Sequence, residues 1–82
     1  MPESYTARGF ADYATLTDLN GGEVIVRQSS LATDEAVWIF WHETDQTRAA
    51  GYSKGSPHLN VEMARRVVAA LNEFIGEHQT AP

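Results

Sequence analysis

The sequence contains no cysteine, so disulfides and thiolate metal sites are excluded as sources of stability. Basic residues are scarce: 6 Lys and Arg stand against 11 Asp and Glu, for a formal net charge of −5. They are Arg8, Arg27, Arg48, Lys54, Arg65 and Arg66, and only the last two are adjacent. Proteins that grip nucleic acid need a basic stripe to neutralise phosphates. None is present, so a nucleic-acid partner is not expected. The negative charge is modest and scattered, the pattern of a solubilising surface rather than a nucleic-acid mimic. No apolar run approaches the ~20 residues of a membrane-spanning helix, so no membrane partner is expected. Met1-Pro2-Glu3-Ser4-Tyr5 lacks a basic segment followed by an apolar one. A secretory signal is therefore not expected, and the cytoplasm is the expected compartment.

What is present fits one small globular domain of 82 residues, 43% of them hydrophobic. A chain this short buries only about 60–65% of its unfolded surface. Small domains supplement such a core with disulfides, a metal or a second copy. Self-association is the supplement left open here.

The chain reads as α+β: a three-stranded, possibly four-stranded, antiparallel β-meander, then one C-terminal amphipathic helix packed on one sheet face. Residues 1–8 read as a loose arm, 10–43 as the meander, 44–58 as a loop, 60–77 as the helix and 78–82 as a frayed tail. The first strand spans about 10–17 and ends at Asp18-Leu19-Asn20-Gly21-Gly22. Asn-Gly is a strong signal for a two-residue type I′ hairpin turn. Such a turn pairs Thr17 with Val24 and Leu16 with Ile25. The second strand, 23–29, carries the β-branched run Val24, Ile25 and Val26. The third, 36–42, is the most apolar stretch of the chain. Ala49 to Tyr52 offers a further short edge strand within an otherwise irregular segment.

Asn60 is a good helix N-cap, and Leu59 with Ala64 sits at hydrophobic-staple spacing. Ala64, Val67, Val68, Leu71, Phe74 and Ile75 recur at helical spacing, widened by Met63 and Ala70. One helix covers one sheet face. If Val26 pairs with Ile39, one face carries Tyr13, Thr15, Thr17, Val24, Val26, Val37, Ile39 and Trp41. The other carries Ala14, Leu16, Ile25, Arg27, Trp38 and Phe40. In any register the third strand is apolar on both sides, and an uncovered apolar face usually marks an interface. The expected interface residues are Leu16, Ile25, Arg27, Trp38 and Phe40, with Arg27 stacked on Trp38. The rival reading folds the arm or the long loop across this face.

Catalytic patterns are sparse. Gly51-Tyr52-Ser53-Lys54-Gly55 matches G-x-S-x-G in letters only, because no parallel sheet is there to carry a nucleophile elbow. His42, His58 and His78 have no metal-ligand spacing, and no acid–base dyad is visible. No catalytic residue, metal or cofactor is assigned. One alternative survives: an anionic nucleotide held by Arg48, Tyr52, Lys54 and Ser56 near the helix N-terminus at Asn60. A DNA-binding three-strand-plus-helix module is a weaker, fold-level analogy that the acidic charge opposes.

Two stretches carry a resemblance. They are Val26-Arg27-Gln28-Ser29-Ser30-Leu31-Ala32 leading into Val37-Trp38-Ile39-Phe40, and Ser56-Pro57-His58-Leu59-Asn60-Val61-Glu62-Met63-Ala64-Arg65-Arg66 leading into Ala69-Ala70-Leu71. Together they resemble small uncharacterised proteins of actinobacterial bacteriophages, the mycobacteriophages among them. The resemblance implies a cytoplasmic phage protein of unknown role; such proteins often bind and alter a host protein, or blunt a host defence. It brings no site residues with it. The expectation is a non-enzymatic interaction module that forms a homo-oligomer, with a dimer favoured.

Overall fold

The computed structural model describes residues 2–29, 35–51 and 55–78. The apolar runs form strands β2 (Ala11–Thr17), β3 (Glu23–Gln28) and β4 (Val37–His42), and the long amphipathic pattern forms helix α2 (Val61–His78). Strand β1 (Ser4–Tyr5) joins the far side of β2, giving one antiparallel sheet in the order β1-β2-β3-β4. The α+β meander followed by a helix is therefore the fold.

The fourth strand comes from the N-terminal arm. Glu3 N–H donates to the Asp12 carbonyl at 2.9 Å, and Thr6 N–H to the Phe10 carbonyl at 2.7 Å. The Thr6 hydroxyl accepts from Phe10 N–H at 3.1 Å and closes the turn. Over its described residues, 2–8, the expected loose arm is instead tied to β2. Two paired residues are simply too few to leave a period in the sequence. The edge strand expected at Ala49 to Tyr52 is absent where the chain is described: Ala49 ends a short helix, α1 (Asp45–Ala49), and Tyr52 lies outside the described residues.

The β2–β3 register also differs. Thr17 pairs with Glu23 and Leu16 with Val24, one residue away from the expectation. A type I′ turn needs positive φ at Asn20, but among the described residues only glycines adopt it. Gly21, at φ +86°, takes the left-handed position instead. Asp18 N–H donates to the Gly22 carbonyl at 2.9 Å, and Gly21 N–H to the Asp18 carbonyl at 3.1 Å. This is a three-residue loop with a bulge glycine. The slip turns Ala14 and Leu16 toward the helix and Thr15 away from it. An irregularity between Asp12 and Ala14 then lets Tyr13 face the helix as well. The β3–β4 register is as expected, with Val26 opposite Ile39.

The core lies between α2 and strands β2 and β3. Val24 and Val26 are fully buried, together with Leu16, Ala14, Val67 and Ala70. Asn60 caps α2 as expected, its side-chain oxygen accepting from Met63 N–H at 2.9 Å. Met63, Val67, Ala70, Leu71 and Phe74 form the contact line. Val68 and Ile75 do not belong to it: one step of ~100° around the helix leaves them 55% and 56% exposed. Tyr13 packs edge-on against Phe74 and donates to Glu77 at 2.8 Å. Burial, that hydrogen bond and the nearby carboxylates push the Tyr13 phenol well above its ordinary value.

The buried Asp18 carboxylate joins three parts of the chain. It accepts from Asn20 N–H at 3.0 Å and Gly22 N–H at 3.0 Å within the hairpin loop. It accepts from the Trp41 indole at 3.0 Å and from His58 N–H at 3.1 Å. Leu19 N–H returns to the His58 carbonyl at 2.9 Å. The Trp41 ring lies so close to Gly22 that a Cβ there would collide with it. Helix α1 is tied to the same loop: Thr44 and Thr47 form a reciprocal cap, and the Thr44 hydroxyl donates to the Gly21 carbonyl at 2.7 Å.

Burial alone would push the Asp18 carboxyl up, but the three backbone donors and the indole outweigh it and bring it below its ordinary 3.8. The ionised form is therefore favoured by folding. Its contribution is fully present above the ordinary value and is lost as pH falls through the depressed one. Asp18→Ala should cost about 2–4 kcal/mol at neutral pH in denaturant unfolding, because it orphans several donors at once. The variant should also lose part of the wild-type decline in stability under acid.

Candidate functional site

Two features of the sheet remain uncovered by α2, and both involve β4. The first is the outer face. Side chains alternate along the strands, so Thr15, Ile25 and Phe40 lie in one row there, and Asp12, Arg27 and Trp38 in the next. Arg27 grips the buried Asp12 with two hydrogen bonds, from Nε at 2.5 Å and from the guanidinium end at 3.1 Å. The bond to Asp12 raises the Arg27 guanidinium above its ordinary value despite partial burial, so it is a permanent cation. It lies 5.8 Å over the Phe40 ring, not on Trp38 as expected. Phe40 in turn stacks on Trp38, with centroids 5.5 Å apart and planes 21° from parallel.

The β1–β2 turn rises beside these rings. Arg8 lies 5.9 Å over the Phe10 ring. Between turn and sheet is an open concavity of about 350 Å³, bordered chiefly by Arg8, Phe10, Arg27, Trp38 and Phe40. Trp38 remains 43% exposed.

The second feature is the free edge of β4, which has no strand neighbour beyond it among the described residues. Ser29 N–H donates to the Ala36 carbonyl at 2.9 Å. The antiparallel alternation then directs the peptide groups of Trp38 and Phe40 toward β3, and those of Val37, Ile39 and Trp41 outward. Natural sheets blunt such edges with Lys, Pro or inward charges. Val37–His42 contains neither an acidic residue nor Lys, Arg or Pro, and Ile39 is 46% exposed.

The sequence-expected interface residues divide accordingly. Arg27, Trp38 and Phe40 come together on the outer face. Ile25 shares that face but is buried, 7% exposed between Thr15 and Phe40 across the sheet. Leu16 is corrected: the one-residue slip places it under α2, in the core. Arg8, Phe10 and Ile39 were not anticipated. A turn formed by the first ten residues and an unpaired edge leave no period in the sequence.

Of the alternative anion cluster, Arg48, Ser56 and Asn60 lie among the described residues. Arg48 pairs with Glu43 at 2.8 Å and with Asp45, and these carboxylates raise its guanidinium above the ordinary value. Asn60 spends its oxygen on its own helix, and Ser56 is exposed on the approach to it. Tyr52 and Lys54 lie outside the described residues. Among the described residues no group of three His, Asp or Glu is placed to hold a metal ion, and no helix is long and apolar enough to cross a membrane.

The two tryptophans should respond differently to truncation. Trp41→Ala removes a core contact and a donor to Asp18 and should cost about 3 kcal/mol. Trp38→Ala should cost less than about 1 kcal/mol. Denaturant unfolding of both variants checks the contrast.

No protein-family model, curated protein or solved structure matches the chain.

Proposed function

We propose that the chain is a non-enzymatic protein-interaction module that self-associates edge to edge through β4. The observation that carries this reading is the position of the most apolar strand. It lies at the sheet margin, beyond the cover of α2, with outward peptide groups and no charged residue to deter pairing. Two copies related by a two-fold axis through the edge satisfy those groups mutually. Ile39 of one copy then meets Ile39 of the other, Val37 meets Trp41, and Trp38 meets Phe40. The result is one continuous sheet with aromatic pairs on its outer face. In a cell, such a dimer would act by binding a host or phage protein.

A second apolar line competes for the role. Val61, Val68 and Ile75 recur every seven residues along α2 and are all more than half exposed. Seven residues return nearly to the same side of a helix. The β4 reading is preferred because an unpaired edge also leaves backbone groups to satisfy.

Light scattering coupled to gel filtration separates the two. Wild type at tens of micromolar should elute at twice the chain mass. Ile39→Lys should elute as a folded monomer, and Val68→Glu should remain a dimer. A monomeric wild type, or dissociation by Val68→Glu alone, would overturn the reading.

A further inference from the structure

Among the described residues, four of the five arginines pair with carboxylates. Arg27 pairs with Asp12, Arg48 with Glu43 and Asp45, Arg65 with Glu62 at 4.0 Å, and Arg66 with Glu3 at 3.5 Å. Among the described residues, Arg8 is the basic side chain with no carboxylate partner. In a chain of net charge −5, an unpaired cation finds no shortage of acidic side chains to meet. Arg8 instead stands at the rim of the outer-face concavity, over Phe10 and beside Trp38 and Phe40.

We propose that this concavity is a binding site for a small planar aromatic carboxylate. Its volume, about 350 Å³, lies at the lower end of the range for small-molecule sites. Three aromatic side chains border it, and the Trp38–Phe40 stack offers a flat apolar surface for a ring. Arg8 supplies a planar fork of donors for a carboxylate. Gln28 borders the same opening; its carbonyl oxygen is engaged by Ala11 N–H at 3.1 Å, which leaves its NH₂ as a further donor. Arg8, the one cation without a carboxylate partner among the described residues, matches a singly charged ligand. A nucleotide would bring two or more negative charges against it, with Asp12 close behind Arg27.

The site shares Trp38 and Phe40 with the edge pairing proposed above, in which they stand beside their counterparts across the seam. That pairing uses the backbone of Val37, Ile39 and Trp41 and leaves the outer face open.

The test is a titration of isotope-labelled protein with naphthalene carboxylate and, separately, its uncharged carboxamide, followed at the two indole N–H resonances. Trp41 Nε1–H is bound to Asp18, away from the concavity, and serves as the internal control. The Trp38 resonance should shift saturably with the carboxylate while the Trp41 resonance stays in place. The carboxamide should bind at least about tenfold more weakly, and Arg8→Gln should weaken the carboxylate by a similar factor. Arg8 is exposed on a turn, so the variant keeps the fold. No Trp38 shift at millimolar carboxylate, equal binding of the two ligands, or unchanged binding by Arg8→Gln would each overturn the proposal.

Discussion

The carboxylate of Asp18 is the point on which the architecture turns. A hairpin loop, the end of the outermost strand and the approach to the long helix each contribute a donor to the same buried anion. A charge costs several kcal/mol to bury alone, but one surrounded by aligned N–H groups is favoured in its ionised form. The arrangement fixes the turn type, brings Trp41 down over Gly22 and sets where the chain enters α2. Thr44, donating to the Gly21 carbonyl, extends the same knot to α1.

That knot explains which parts of the fold were legible. The helix, its Asn60 cap and three of the strands announce themselves through local chemistry: periodic apolar residues, β-branched runs and a capping side chain. The β2–β3 register did not, because Asn20-Gly21 is compatible with two loop geometries. The choice between them is made by Asp18 through contacts from Trp41 and His58, far away in sequence. Leu16 changed faces as a result. Strand β1 and helix α1 escaped notice for a simpler reason: two and five residues are too short for a period to show. The Thr44–Thr47 cap was also hard to see, because Thr stands where the Ser/Thr-x-x-Glu/Gln signature has Glu or Gln.

The surplus apolar surface read from the sequence is real, though differently distributed. Much of it is absorbed: Leu16 enters the core, and Ile25 is screened by its neighbours across the sheet. What remains on the sheet lies mainly on β4, at Trp38 and Ile39, because α2 lies over β2 and β3. Asp18 anchors β4 from within through Trp41, while nothing among the described residues pairs its outer edge. An ordered, uncharged strand held at one side and open at the other is a template for another strand. The outer face beside it carries a different chemistry, aromatic rings with two guanidiniums, and was only partly foreseen because Arg8 and Phe10 reach it through the β1–β2 turn.

The central claim is that β4 completes its hydrogen bonding with a second copy. Amide hydrogen exchange read residue by residue across a protein dilution series addresses it most directly. Trp38 and Phe40 N–H, which face β3, should be protected at every concentration. Val37, Ile39 and Trp41 N–H should gain protection together as concentration rises. Fast exchange of those three amides at all concentrations, in a protein that is otherwise protected, would contradict the account.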